Sequence, residues 1–245
     1  MASTPARHVP GEPLDRFLVR RLRLTWADAR RAIQHSRVAV NGVVGKRYHR
    51  LLVDGDVVEI DGAPIADAPD DAVVLCHKPD GWACSHAPGD TPLIYDLVPA
   101  HLRHPDLQTA GRLDRDTTGL LILTLDGGLI QRLTDPRQAL WKRYRLRLES
   151  TLPDDAVARV GGGLTLRTET EPCLPGRLAI GDDPLDATLE IREGRRWQVK
   201  RMVLALGSRI ARLHRDRIGD LELPADLAPG AMRAATATEL ARLPQ

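Results

Sequence analysis

The chain has 245 residues, of which 42% are apolar, and a formal net charge of +2. That is enough apolar material for one large core, or for a small domain joined to a medium one. No stretch approaches the roughly eighteen consecutive apolar residues of a membrane helix, and the polar, proline-containing first twelve residues carry no secretory apolar region, so a cytoplasmic location is expected. Cys76, Cys84 and Cys173 are too few and too scattered for a disulfide framework. None forms the Cys-x-x-Cys pair of common zinc sites, so ordinary reduced thiols and no metal are expected.

Charge is segregated along the chain. Leu14 to Arg50 holds ten Lys or Arg against two acidic residues, and Arg192 to Arg217 holds nine against two; the remainder is acidic. Two basic regions suit a polyanion gripped at two places, because each neutralised phosphate releases condensed counterions. The plainer reading of either stretch alone is a solvated helix face.

In chain order, Leu14, Phe17, Leu18 and Leu22 share one face at helical spacing, predicting a short amphipathic helix. Thr25, three residues before Asp28, predicts the start of a second helix through Ala29, Ala32 and Ile33. Arg37 to Val44 reads as strand, Asn41-Gly42 turn, strand, since Asn-Gly accepts the positive φ angles of a tight hairpin turn. Another strand is predicted over Val57 to Ile60.

This order, carried by Leu14-Asp15-Arg16-Phe17-Leu18, Ala29-Arg30-Arg31-Ala32-Ile33 and Arg37-Val38-Ala39-Val40-Asn41-Gly42, resembles the S4 RNA-binding domain. The resemblance implies phosphate contacts from Arg30, Arg31, Arg37 and Lys46, which position a protein on RNA without reading its sequence. The S4 domain is assigned to residues 1–61, with 1–12 expected to be flexible. The stretch 62–71, rich in Pro and Asp, reads as a linker, and 72–245 as a second domain. There, Leu120 to Thr124 predicts a buried strand, and Tyr144, Leu146 and Leu148 alternate with Arg143, Arg145 and Arg147 as a half-buried strand does. Val199, Met202, Val203 and Leu206 predict a helix closed by Gly207. Strands interrupted by isolated helices, without regular alternation, predict an α+β fold with a mixed or antiparallel sheet.

The run Gly111-Arg112-Leu113-Asp114-Arg115-Asp116-Thr117-Thr118-Gly119 sets two carboxylates ahead of an apolar strand. From the residues alone either aspartate can be catalytic, or can simply cap a turn. The run resembles the signature of the pseudouridine synthases typified by the ribosomal small-subunit enzyme. Further segments agree in order: His77-Lys78-Pro79-Asp80-Gly81, Thr134-Asp135-Pro136-Arg137, Lys142-Arg143-Tyr144, and Glu193 to Met202. The resemblance implies that Asp114 rather than Asp116 is the essential carboxylate. It further implies that Tyr144 packs on the target base and serves as base at C5, that Lys200 pairs with the aspartate, and that Arg112 fills the gap left by the extruded nucleotide. Thr117, Thr118, Lys142, Arg195, Gln198 and Arg201 are the remaining expected RNA contacts. Two departures stand out: Trp197 where many relatives carry histidine, and Leu140-Trp141 where relatives are more polar.

The implied reaction breaks a C1′–N1 bond and forms a C1′–C5 bond without net redox change, so no cofactor is expected. The carboxylate can attack sugar or base or take the C2′ proton, and the sequence leaves these routes open. The implied partner is 16S ribosomal RNA, modified at the uridine-516 type of site, within a small-subunit assembly intermediate and by a monomer. A 23S rRNA target and a noncatalytic RNA-binding assembly factor are the alternatives. Glycoside hydrolysis by Asp114 and Asp116 is the weakest reading, since two carboxylates two residues apart leave no groove for a sugar.

Overall fold

The computed structural model describes residues 10–22, 24–65, 73–87, 89–104, 106–167 and 169–244, the side chain of Arg20 excepted. Residues 1–9 of the segment expected to be flexible, 66–71 of the expected linker and residue 72 lie outside them. The chain divides into two compact units, one of residues 1–72 and 98–108, the other of 73–97 and 109–245.

In the first unit, helices α1 (Leu14–Leu22) and α2 (Trp26–Gln34) cover a small antiparallel sheet of order β2-β1-β3-β4, built from β1 (Val38–Val40), β2 (Val43–Val44), β3 (Val58–Ile60) and β4 (Ala63–Pro64). Phe17, Leu18, Ile33 and Leu52 fill its core. The Thr25 hydroxyl accepts from the Asp28 amide at 3.1 Å, so the predicted cap starts α2. Asn41 and Gly42 both take positive φ, 56° and 74°, the turn that lets two right-twisted strands pair tightly. The Asn41 amide also donates to Asp56 and accepts from the Val57 amide, tying the hairpin to the residues before β3. The expected linker begins too early: 61–62 turn at positive φ into β4, and Ile65 is fully buried in this core. Composition misled there because a hairpin turn and a linker draw on the same Asp, Gly and Pro residues.

The second unit holds β5 (Val73–Lys78), the end of β6 (Gln108–Thr109), β7 (Thr117–Thr124), α3 (Gly127–Thr134), β8 (Lys142–Leu148), α4 (Ala156–Gly162), β9 (Arg177–Ile180), β10 (Asp186–Ile191), α5 (Gln198–Ala205), β11 (Ile210–Ile218), β12 (Leu221–Glu222), β13 (Met232–Ala234) and α6 (Ala237–Leu240). Its sheet runs β13-β5-β7-β11-β8-β10-β9. Neighbours along this path are antiparallel except β7 and β11, which pair in parallel. This is the expected α+β architecture. The continuous apolar run of β7 is buried throughout its centre, whereas β8 alternates, with Tyr144, Leu146 and Leu148 inward.

The parallel joint is unusually close at Gly119, paired with Arg215. Gly119 has φ +112°, and a Cβ there would lie 2.1 Å from the Arg215 carbonyl oxygen. Only glycine fits, because the obstacle is backbone and cannot rotate away. The Asp114 loop leads directly into β7, so this contact fixes the strand on which that loop ends. Gly119→Ala is therefore expected to lower stability by about 3 kcal/mol, read as a drop in chemical-denaturation midpoint; unchanged stability would show that β11 does not need the close approach.

Candidate active site

Lys78 ends β5 fully buried, and its ammonium donates to the carbonyls of Pro79, Arg115 and Thr117 at 3.0, 2.9 and 2.8 Å. Three donors meet three acceptors, so the charge is hydrogen-bonded on every side. Burial nevertheless pushes its pKa below the ordinary lysine value. Two of the carbonyls belong to the turn after Asp114, and the Thr117 amide donates to the Asp114 carbonyl at 3.0 Å. The backbone of the loop is thus pinned from behind while its carboxylates face forward.

There the Lys200 ammonium, near the start of α5, bridges both: it lies 2.6 Å from Asp116 Oδ1 and 3.3 Å from Asp114 Oδ2. Helix α5 reaches this position because Val199, Met202 and Val203 anchor its other face in the core. Burial works against the Lys200 charge, but the hydrogen bond to Asp116 and the field of Asp114 outweigh it and raise its pKa. Burial likewise opposes the Asp116 charge, and the Lys200 partner prevails, holding that carboxyl below its usual range. The expected pairing of Lys200 with Asp114 is present, yet the shorter bond goes to Asp116, which leaves Asp114 the more lightly held carboxylate.

Asp114, Lys200 and Tyr144 line one cavity of about 160 Å³. A single water needs only ~10–15 Å³, so this is room for a larger polar group. Tyr144 is buried on β8, with Leu189 and Arg215 as its cross-strand partners. Arg215, itself buried, spends its guanidinium on the Leu120 carbonyl through Nε at 3.1 Å and Nη2 at 2.9 Å. Lys142 also lines the cavity, and burial, reinforced by the charge of Arg215, brings its pKa down to about 8.

The other expected RNA contacts separate into groups. Arg112 is exposed on the cavity wall, and Thr117 lines it with a buried hydroxyl that finds no partner among the described residues. Thr118 does not line the cavity; its hydroxyl meets His214 Nδ1 at 2.8 Å. Arg195 and Arg201 both bind Glu169, and Arg195 also bonds Glu193 and the carbonyls of Glu171 and Pro172. Buried Gln198 donates to Glu193 and accepts from the Arg195 amide. These three brace the turn before α5, leaving little hydrogen-bonding capacity for RNA. In the first unit, Arg30 is held by buried Asp15 and lies 4.9 Å over the Tyr48 ring, Arg31 pairs with Asp28, Arg37 grips Asp61 through two bonds, and Lys46 is exposed. Lys78, Glu169 and Arg215 were not singled out by sequence; for Glu169 the available signal was an acidic stretch, Glu169 to Glu171, that could answer the basic one from Arg192 onward.

The chain belongs to the pseudouridine synthase family of isomerases: the domain described as RNA pseudouridylate synthase matches residues 72–205. The chain is 38% identical to the ribosomal small subunit pseudouridine synthase A of Salmonella typhimurium and to that of Escherichia coli K12, over 93% of this chain and 98% of each relative. A crystal structure of a pseudouridylate synthase matches with a TM-score of 0.65 at 34% identity, covering 94% of this chain and 98% of that one.

The Lys142 ammonium offers a direct test of the cavity's electrostatics. Its pKa falls from 10.5 to about 8 on folding, so between those values the unfolded chain binds more protons and stability rises with pH. Lys142→Met should therefore unfold at higher temperature than wild type below pH 8, with the difference shrinking toward pH 10.5. A difference that does not change with pH would show that Lys142 is not carrying a buried charge.

Proposed function

We propose that this chain converts a specific uridine of 16S ribosomal RNA, of the uridine-516 type, to pseudouridine, with Asp114 as the catalytic carboxylate. The observation that carries this reading is that Asp114, Tyr144 and Lys200, far apart in sequence, line a single cavity in a chain matching small-subunit relatives over nearly their whole length.

The target nucleotide must leave its stack to reach Asp114, at a cost of a few kcal/mol. Burying the base against Tyr144 offsets part of that cost, and Arg112 at the wall fills the vacated place. Lys200 holds Asp116 ionised and orients Asp114 by a contact weaker than its bond to Asp116. Asp114 then acts on the sugar or base as nucleophile, or takes the C2′ proton; the C1′–N1 bond breaks, the uracil turns, and C5 bonds to C1′. The proton displaced from C5 leaves through Tyr144 in this scheme, the freed N1 takes up a proton in exchange, and any bond or C2′ proton taken by Asp114 is returned as the C1′–C5 bond forms, so atoms balance across the isomerisation. No electrons are gained or lost, so these residues need no redox partner.

The first unit acts as an S4-type grip, with Arg30, Arg31, Arg37 and Lys46 as its phosphate contacts, of which exposed Lys46 is the most available. An enzyme that grips RNA with one basic unit and modifies it with another suits a partly folded small-subunit assembly intermediate, acting as a cytoplasmic monomer. Mapping pseudouridine in rRNA from a strain lacking this chain, and assaying the pure protein on bare 16S rRNA, an assembly intermediate and the finished subunit, tests this directly. Loss of one 16S pseudouridine, and fastest turnover on the intermediate, is the expected result. Loss of a 23S site alone would reassign the target, and an unchanged rRNA would favour a noncatalytic assembly role.

A further inference from the structure

Trp197 lies at the mouth of the cavity in a conformation its residue type disfavours. It sits immediately before α5 with φ 53° and ψ 28°, the left-handed region that suits glycine or asparagine. Despite being among the largest side chains, it remains 51% exposed, so it does not repay that backbone by filling the core. Such strain at the rim of a site points to a role for the side chain held there.

Its surroundings specify what the ring could take. The Arg196 guanidinium lies 4.1 Å from the ring centroid, a cation–π pair that also supplies positive charge. Trp197 and Lys200 line the cavity that holds Asp114, and the same two residues, with Arg201 and Leu204, line a shallow depression just outside it. Leu204 is itself 60% exposed. An aromatic face and an aliphatic side chain flanked by guanidinium groups, continuous with a base-sized cavity, match the surface that unstacked bases select in RNA. Trp141, by contrast, packs with Arg177 and Arg192 over its ring, 4.2 and 5.3 Å away.

We propose that Trp197 is a stacking platform for a nucleobase next to the target uridine, so that the enzyme holds two neighbouring bases, one in the cavity and one on the rim. The proposal rests on reading the cavity as the uridine site. A flanking base stacked here would hold the strand open while the uridine is extruded, and would make turnover depend on the neighbour.

The test is equilibrium binding of a 16S fragment, intact or abasic at either nucleotide flanking the target, to wild type, Trp197→Gly and Trp197→Phe. Gly accepts the positive φ, so that variant should unfold at no lower temperature than wild type. It should bind the intact fragment about tenfold more weakly, with an unchanged dependence of affinity on salt, since stacking releases no counterions. Phe should retain most of the affinity. Removing one flanking base should weaken wild type by a similar factor and Trp197→Gly no further. Wild-type affinity in the Gly variant, or losses that multiply for both abasic positions, would overturn the proposal. Pseudouridine formation by wild type on the intact fragment tests the uridine site separately, because binding is read without turnover.

Discussion

The placement of Asp114 depends on a buried ammonium behind it. Lys78 reaches from the end of β5 to carbonyls in the next segment of the sheet, 37 and 39 residues further along the chain. Without that charge the carbonyls of Pro79 and Thr117 would lose its donor in the interior, and that of Arg115 would fall back on the Gly81 amide. With it, the turn containing Arg115 is fixed to β5, and Asp114 can point into the cavity while keeping a contact as long as 3.3 Å to Lys200. Asp114 thus combines a fixed backbone with a carboxylate that has little competing interaction to give up.

Charge around the cavity is divided accordingly. One ammonium, Lys200, meets two carboxylates, and on β8 a second ammonium, Lys142, stands near the buried Arg215. The cavity therefore has an anionic edge at Asp114 and a cationic edge at Lys142. Further out, Glu169 and Glu193 neutralise Arg195 and Arg201, so much of the basic stretch visible in the sequence is structural. The same holds in the first unit, where Asp15, Asp28 and Asp61 engage Arg30, Arg31 and Arg37. Counting basic residues thus overstates the charge available to RNA in both units.

Local features were legible before the fold was. The Thr25 cap, the Asn41-Gly42 turn and the alternation of β8 are each decided within a few residues, where propensity and periodicity act. The Asp114 motif was legible through its resemblance to a family, but its support was not. Acceptors for Lys78 are backbone carbonyls, which carry no sequence signature. Gly119 stands in the motif, yet its necessity appears only when the Arg215 carbonyl is seen against it. Asp114 and Asp116 cannot be ranked by spacing, and the closer bond of Lys200 to Asp116 is seen only in the folded site. Thr118 stands beside Thr117 among the expected RNA contacts; on a strand, neighbours face opposite sides, and its hydroxyl meets His214.

The division of labour between the two aspartates is the point on which the account stands or falls. Single-turnover pseudouridine formation, with enzyme in excess over the 16S fragment, should be measured for Asp114→Asn and Asp116→Asn beside wild type, with RNA binding as control. Asp114→Asn should bind RNA but lose turnover by roughly 10³-fold or more, while Asp116→Asn, which leaves Lys200 a neutral acceptor in place of its closer carboxylate, should keep most of the rate. Wild-type turnover in Asp114→Asn, or the larger loss falling on Asp116→Asn, would contradict it.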